Sequence, residues 1–350
     1  MSSLTETGEN FARFSMLFLD EAGRFIDPEG EQGDEPRPVG VDELPAFFKR
    51  SIPLGEGITD VFVWVHGWQN DELRAITTAR RLFANMDIWF RDEAARYPHL
   101  DKVTPAYVAV HWPSTSTPGL LGYKKIRNRA KQMTTKGEAE FFLASLLGYL
   151  DQENERDLNR KVLRARHGYY VHCLGHSFGG RFLTAAIKEA AEPSEGSRRI
   201  LAAAHRETGF EFNVDSMCVF QMAAGAQSFE HEFSALLGSS PLCGPIVLTH
   251  STADLALCMW HRFGELEAGI GCGGATAPRD KIGWITLKTI DSSYGETEFS
   301  KDITNVNASQ IFKKGEWGVG AHSDFWHTET LHLIASVAEQ VRLSSVPASG

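Results

Sequence analysis

Short, unbroken apolar runs alternate with stretches of helical periodicity along most of this chain. Runs of strand character lie at residues 61–65, 107–111, 169–174, 217–222, 246–248 and 285–290. Because they are continuous in apolar residues, they predict strands covered on both faces. Between them Ile76, Phe83, Met86 and Phe90 recur at helical spacing. So do Phe142, Leu146, Tyr149 and Leu150, behind a capping-box pattern from Thr135 to Glu138. Leu331, Ile334, Val337, Ala338 and Val341 predict one last amphipathic helix. Strands alternating with helices predict an α/β fold, a mostly parallel sheet with helices on both faces.

Residues 58–343 carry this alternation as one domain. Residues 1–57 read as an edge strand or hairpin (14–19) and a loop (30–40) belonging to it, and 344–350 as a flexible tail. With 350 residues and 42% apolar content, a single elaborated domain accounts for the whole chain.

A formal net charge of -10 argues against nucleic acid as the main partner, since phosphate binding rests on clustered excess Lys and Arg. The first ten residues are polar, and no apolar run approaches the roughly 18 residues of a membrane span. A soluble, cytoplasmic protein is therefore the expectation. The five cysteines lack CxxC spacing and suggest neither a disulfide framework nor a zinc site; Cys173 and Cys218, inside strand-like runs, read as inert buried thiols.

Lys124, Lys125, Arg127, Arg129, Lys131 and Lys136 form a basic stretch in this acidic chain. It reads as a solvated helix face with Tyr123, Ile126, Ala130 and Met133 packed beneath. The alternative is peripheral contact with an anionic membrane surface or substrate. The glycine-rich stretch 264–283 neither follows a strand directly nor carries GKS or GxGxxG, so it predicts a flexible loop near a pocket rim and no phosphate cradle. No cofactor or metal is expected.

The most informative segment is an apolar strand running into Gly175, His176, Ser177, Phe178 and Gly179, followed by a helical pattern with Phe182, Ala186 and Ile187 in phase. This is G-x-S-x-G in the context its chemistry needs, a serine on a sharp turn between strand and helix. Glycines two positions either side let the backbone pack closely, and the helix start aims N–H groups where an oxyanion develops. His176, on the same turn, is poorly placed to act as base. Upstream, the run 61–65 ends in His66 and Gly67.

With these motifs the chain resembles the α/β-hydrolase superfamily, in particular its lipase and serine-esterase branches. The resemblance implies a three-layer α/β-hydrolase fold over roughly residues 58–340. It also implies an oxyanion hole from the backbone N–H groups of Trp68 and Phe178, with His66 and Gly67 structural. The Trp112, Pro113, Ser114 stop resembles the next strand end of many relatives.

The partners of the nucleophile follow it in the order acid, then histidine. Asp254, just beyond the run 246–248, is the expected acid, with Asp291 as rival and Glu230 as a remote one. His322, in a glycine-flanked loop before the last helix, is the expected base, ahead of His327 and His332. Trp68, Trp112, Phe178, Trp317 and Trp326 either line an apolar pocket or pack in the core. The implied reaction is cleavage of a small carboxylic or lipid-like ester through an acyl-Ser177 intermediate. Acyl transfer to an alcohol, thioester cleavage, and a non-catalytic scaffold of the same fold stay open as alternatives. The oligomeric state is not read from the sequence.

Overall fold

The computed structural model describes residues 12–28, 30, 36–100, 102–117, 119–152, 168–191, 214–237, 242, 244–265, 267–315 and 320–344. Ten strands occur among them: β1 (Ser15–Phe18), β2 (Ile26–Asp27), β3 (Arg37–Pro38), β4 (Asp60–Val65), β5 (Pro105–His111), β6 (Tyr170–His176), β7 (Ser216–Phe220), β8 (Ile246–His250), β9 (Ile282–Thr286) and β10 (Ile303–Asn307). Eight form one parallel sheet in the order β1-β5-β4-β6-β7-β8-β10-β9, and β2 pairs with β3 as a small antiparallel ribbon.

Alternate side chains of these strands feed two cores. Val61, Val63, Val65, Val108, Val171 and Val219 face the layer of α1 (Leu44–Ser51), α3 (Leu120–Thr135), α4 (Ala139–Gln152) and α5 (Phe178–Ala191). Phe62, Trp64, Tyr107, Leu174 and Phe220 face α2 (Glu72–Asp92) and the C-terminal helix Thr328–Ser344. The result is a three-layer α/β fold of the kind the resemblance implies. Because every strand of the main sheet runs the same way, all their carboxyl ends share one rim, where loops meet without a strand edge between them.

Four expectations need correction. The run 285–290 is not a strand along its length: β9 covers Ile282–Thr286 and the chain leaves the sheet after Leu287, whose N–H closes on the carbonyl of Asn307. The strand beside it, β10, escaped the apolar pattern because Thr304 and Asn305 lie in its middle. Both are buried, and Asn305 exchanges two hydrogen bonds with the backbone of Ala275, which removes the usual penalty for burying an amide. Thr135 ends α3 and does not cap α4, which starts at Ala139.

The glycine-rich 269–274 stretch is no flexible loop. It folds into a short helix, Ile270–Gly273, bonded to the carbonyls of Ala224 and Met222. A disulfide, Cys258–Cys272, ties that helix to the segment after Asp254, against the expectation of unpaired cysteines. The spacing of 14 residues matches no sequence motif, and only folding brings the two thiols together. Cys173 and Cys218 are buried, as expected, and burial raises both thiol pKa values.

On α3, Tyr123, Ile126, Ala130 and Met133 are buried beneath exposed Lys125 and Lys131, while Arg129 turns inward to the carbonyl of Pro113 and pairs with Glu21. Among the described residues no helix is long and apolar enough to cross a membrane. No group of three or more His, Cys, Asp or Glu among them is disposed to hold a metal ion.

Candidate functional site

At the carboxyl end of β6 the chain turns through Ser177 with a left-handed φ of 55°, and α5 begins at the next residue. That turn works because its flanks are bare. A Cβ at Gly175 would lie 2.5 Å from Gly180 Cα, and one at Gly179 would lie 2.1 Å from the carbonyl oxygen of Val65. The Ser177 N–H donates to the carbonyl of Phe220, which locks the turn to the neighbouring strand. Gln69 and Gln221 (φ 63° and 50°) are the other non-glycine residues with positive φ among those described, just beyond β4 and β7. Each such conformation costs about 1–3 kcal/mol, and all three lie on one rim of the sheet.

Asp254 follows β8 by four residues and is wholly buried. Its Oδ1 accepts the N–H of Leu257 at 3.0 Å and its Oδ2 accepts His322 Nδ1–H at 2.8 Å. His322 sits in the 3-10 turn Ala321–Ser323, and its Nε2 lies 2.8 Å from Ser177 Oγ. With Nδ1–H committed to the carboxylate, Nε2 is the acceptor for the serine proton. The loops carrying Asp254 and His322 are stitched together, Ala321 N–H donating to the carbonyl of Ala253 at 2.8 Å. His176 is engaged elsewhere. Its Nε2 donates to the backbone carbonyl of His322 at 2.6 Å, and burial, followed by the nearby His322 ring, pushes its pKa well down.

The loop after β4 is pinned from several sides. Trp112 Nε1 donates to the carbonyl of His66 at 2.7 Å. Asn70 Nδ2 reaches the carbonyls of Gly67 and Trp68, both at 3.0 Å, and Ser114 Oγ accepts the N–H of Asn70. His66 donates from Nδ1 to the carbonyl of Gly67, leaving Nε2 to accept from His111 Nδ1 at 2.9 Å. Burial, and secondarily the His111 ring, holds His66 neutral with a pKa near about 3; burial brings His111 to about 4. Gly67 presses against Ser177: a Cβ there would come 2.9 Å from Ser177 Cβ. The first N–H groups of α5, Phe178 included, have no acceptor within their helix.

Trp68 and Trp326 line a cleft bounded also by Gly67, His176 and His322, and the Arg81 guanidinium stacks 4.6 Å over the Trp326 ring. Arg74, an exposed residue, also lines this cleft. Ser177 itself is fully buried and does not line the cleft, whose lining includes its neighbours Gly67 and His322. Trp112 does not line the cleft: it is completely buried and packs edge-on against Phe182. Phe178 is likewise buried, against Tyr123. Trp317 falls outside the described residues.

The rival residues lie elsewhere. Asp291 and Glu230 are exposed, His327 bonds Asp324, and His332 is held between Tyr97 and the carbonyl of Ser292. Asn70, Ser114 and His111 entered no sequence-based site; nothing in local spacing ties them to the serine. Gln221 was missed as well. Its Nε2 lies 3.1 Å from Asp254 Oδ2.

No family model and no curated protein matches this chain. Among solved structures it is similar to the Tle1 effector bound to the VgrG spike from the Type 6 secretion system, at 12% identity and a TM-score of 0.27. The overlap takes in 58% of this chain and spans less than half, 47%, of that one.

Proposed function

We propose that this protein is a serine hydrolase acting on carboxylic esters, lipid-like esters included, with Ser177 as nucleophile, His322 as general base and Asp254 as the acid that orients it. The observation that carries this reading is the unbroken row Asp254–His322–Ser177, with both links at 2.8 Å. A serine hydroxyl is a weak nucleophile near neutral pH and needs a base within hydrogen-bond reach.

In the proposed reaction Ser177 Oγ attacks the ester carbonyl as its proton passes to His322 Nε2. Asp254 stabilises the imidazolium without taking the proton. The backbone N–H groups of Trp68 and Phe178 receive the oxyanion, each contributing about 3 kcal/mol to the barrier reduction. Collapse of the tetrahedral intermediate expels the alcohol, protonated by His322, and leaves acyl-Ser177. Water, deprotonated by the same imidazole, then releases the acid.

Labelling with a fluorophosphonate probe tests this. The wild-type protein is expected to label and Ser177→Ala not to label. A folded wild-type protein that stays unlabelled overturns the hydrolase and favours a scaffold. An ester-chain-length series with product analysis separates water from an alcohol as the acyl acceptor.

A further inference from the structure

Gln221 combines three unfavourable features at one residue. Its backbone is left-handed without being glycine, its side chain is wholly buried, and its Oε1 has no hydrogen-bond partner among the described residues. What the residue does have is a donor with two acceptors: Nε2 reaches Asp254 Oδ2 at 3.1 Å and the carbonyl of Ala321, the residue before His322, at 2.6 Å. The orientation of the amide follows from those partners. Turned over, Oε1 would face a carboxylate and a carbonyl oxygen, two acceptors with no proton between them.

From this we infer that Gln221 is a positioning residue for the Ser177–His322–Asp254 row, an inference that rests on the hydrolase reading. One NH2 group holds the loop of the acid and the loop of the base at once. The oxygen it touches on Asp254 is the one that accepts His322 Nδ1–H. Its own backbone is fixed by an N–H bond to Thr249 at the end of β8. Gly271 closes over it so tightly that a Cβ there would lie 2.7 Å from Gln221 Cα. The side chain therefore works as a strut that adds a side-chain tie to the backbone bond already joining the two loops, Ala321 N–H to the carbonyl of Ala253. Among the described residues, Asp254 is the titratable group that its amide touches, and the His322 ring stands on the far side of that carboxylate, on the same oxygen.

Two substitutions separate a strut from filler. Gln221→Met keeps the length and removes the donor; it is expected to lower kcat roughly 100-fold, the scale of a misplaced catalytic group, with KM changed less than about two-fold. Gln221→Glu restores a donor only when protonated, and two adjacent carboxyl groups hold a shared proton tightly. Its kcat relative to wild type is expected to recover as pH falls from 8 to 5, whereas that of the Met variant stays flat.

The far-downfield proton resonance of His322 Nδ1–H supplies a readout that needs no substrate. It is expected to shift or broaden in the Met variant. Activities that fall only in step with Tm, with an unchanged pH profile and an unchanged resonance, overturn the positioning role. An unlabelled wild type alongside a perturbed resonance refutes the hydrolase and leaves the strut intact.

Discussion

The single residue that separates this site from its rivals is Asp254. Sequence order left two aspartates as candidates, and Asp254 is the one proposed because its Oδ2 is 2.8 Å from His322 Nδ1, whereas Asp291 is exposed on a turn. Asp254→Asn forces the imidazole into the wrong tautomer and is expected to lower kcat by about 10⁴ with the fold intact. Asp291→Asn is expected to leave kcat unchanged. Steady-state kinetics on a p-nitrophenyl ester with both variants checks the assignment, and comparable losses from the two would refute it. The turn at Ser177 was legible in the sequence because its constraint is local, glycines within two residues of the turn. Gln221 left no such trace, since a glutamine after an apolar run says nothing until the chain folds.

At the scale of elements, α4 and α5 carry a strain of their own. Burial raises the Glu140 carboxyl to about 7, with the charge of Glu189 on the facing helix adding to the effect. The folded value lies above the unfolded one, so Glu140 favours the fold below about pH 4 and loses that contribution as pH rises through 7. Glu140→Gln is therefore expected to raise stability by about 2 kcal/mol at pH 8 and to change little at pH 4, read as urea midpoints. Equal effects at both pH values would show that the carboxyl is not strained. Strand β10 makes the same point about legibility from the other side. A buried Asn305 breaks the apolar pattern, so the element is invisible until Ala275 is seen to satisfy it.

Across the whole molecule, buried histidines gather where the strands end: His66 just after β4, His111 on β5, His176 on β6 and His250 on β8. Burial, the first cause in each, takes His66 to about 3, His111 and His250 to about 4, and His176 well down. Folded values below the ordinary 6.5 mean that the unfolded chain binds more protons. Their stabilising contribution is thus complete above about pH 6.5 and drains away as pH falls toward 4. The urea midpoint is expected to drop steeply between pH 7 and 5, and a flat profile there would contradict the buried, neutral assignment.

The opposite rim behaves differently. There Ser216, His172 and Asp60 form another hydrogen-bonded row, but Arg342 clamps the Asp60 carboxylate. Burial opposes ionisation of that carboxyl, yet His172 and Arg342 outweigh it and bring the pKa to about 2, so its contribution persists until pH falls below about 4. That row lies at the amino ends of the strands, away from the rim where α5 starts.

What the amino-acid order determined by itself was whatever depends on near neighbours: the strand and helix alternation and the glycine-flanked turn at Ser177. Tertiary structure alone decided which carboxylate meets the imidazole, that Cys258 reaches Cys272, that Trp112 is core, and that Gln221 joins the two loops. These pairings depend on distances across the sheet between residues tens of positions apart. No local periodicity encodes such distances, because they are set by how parallel strands bring separate loops to one rim.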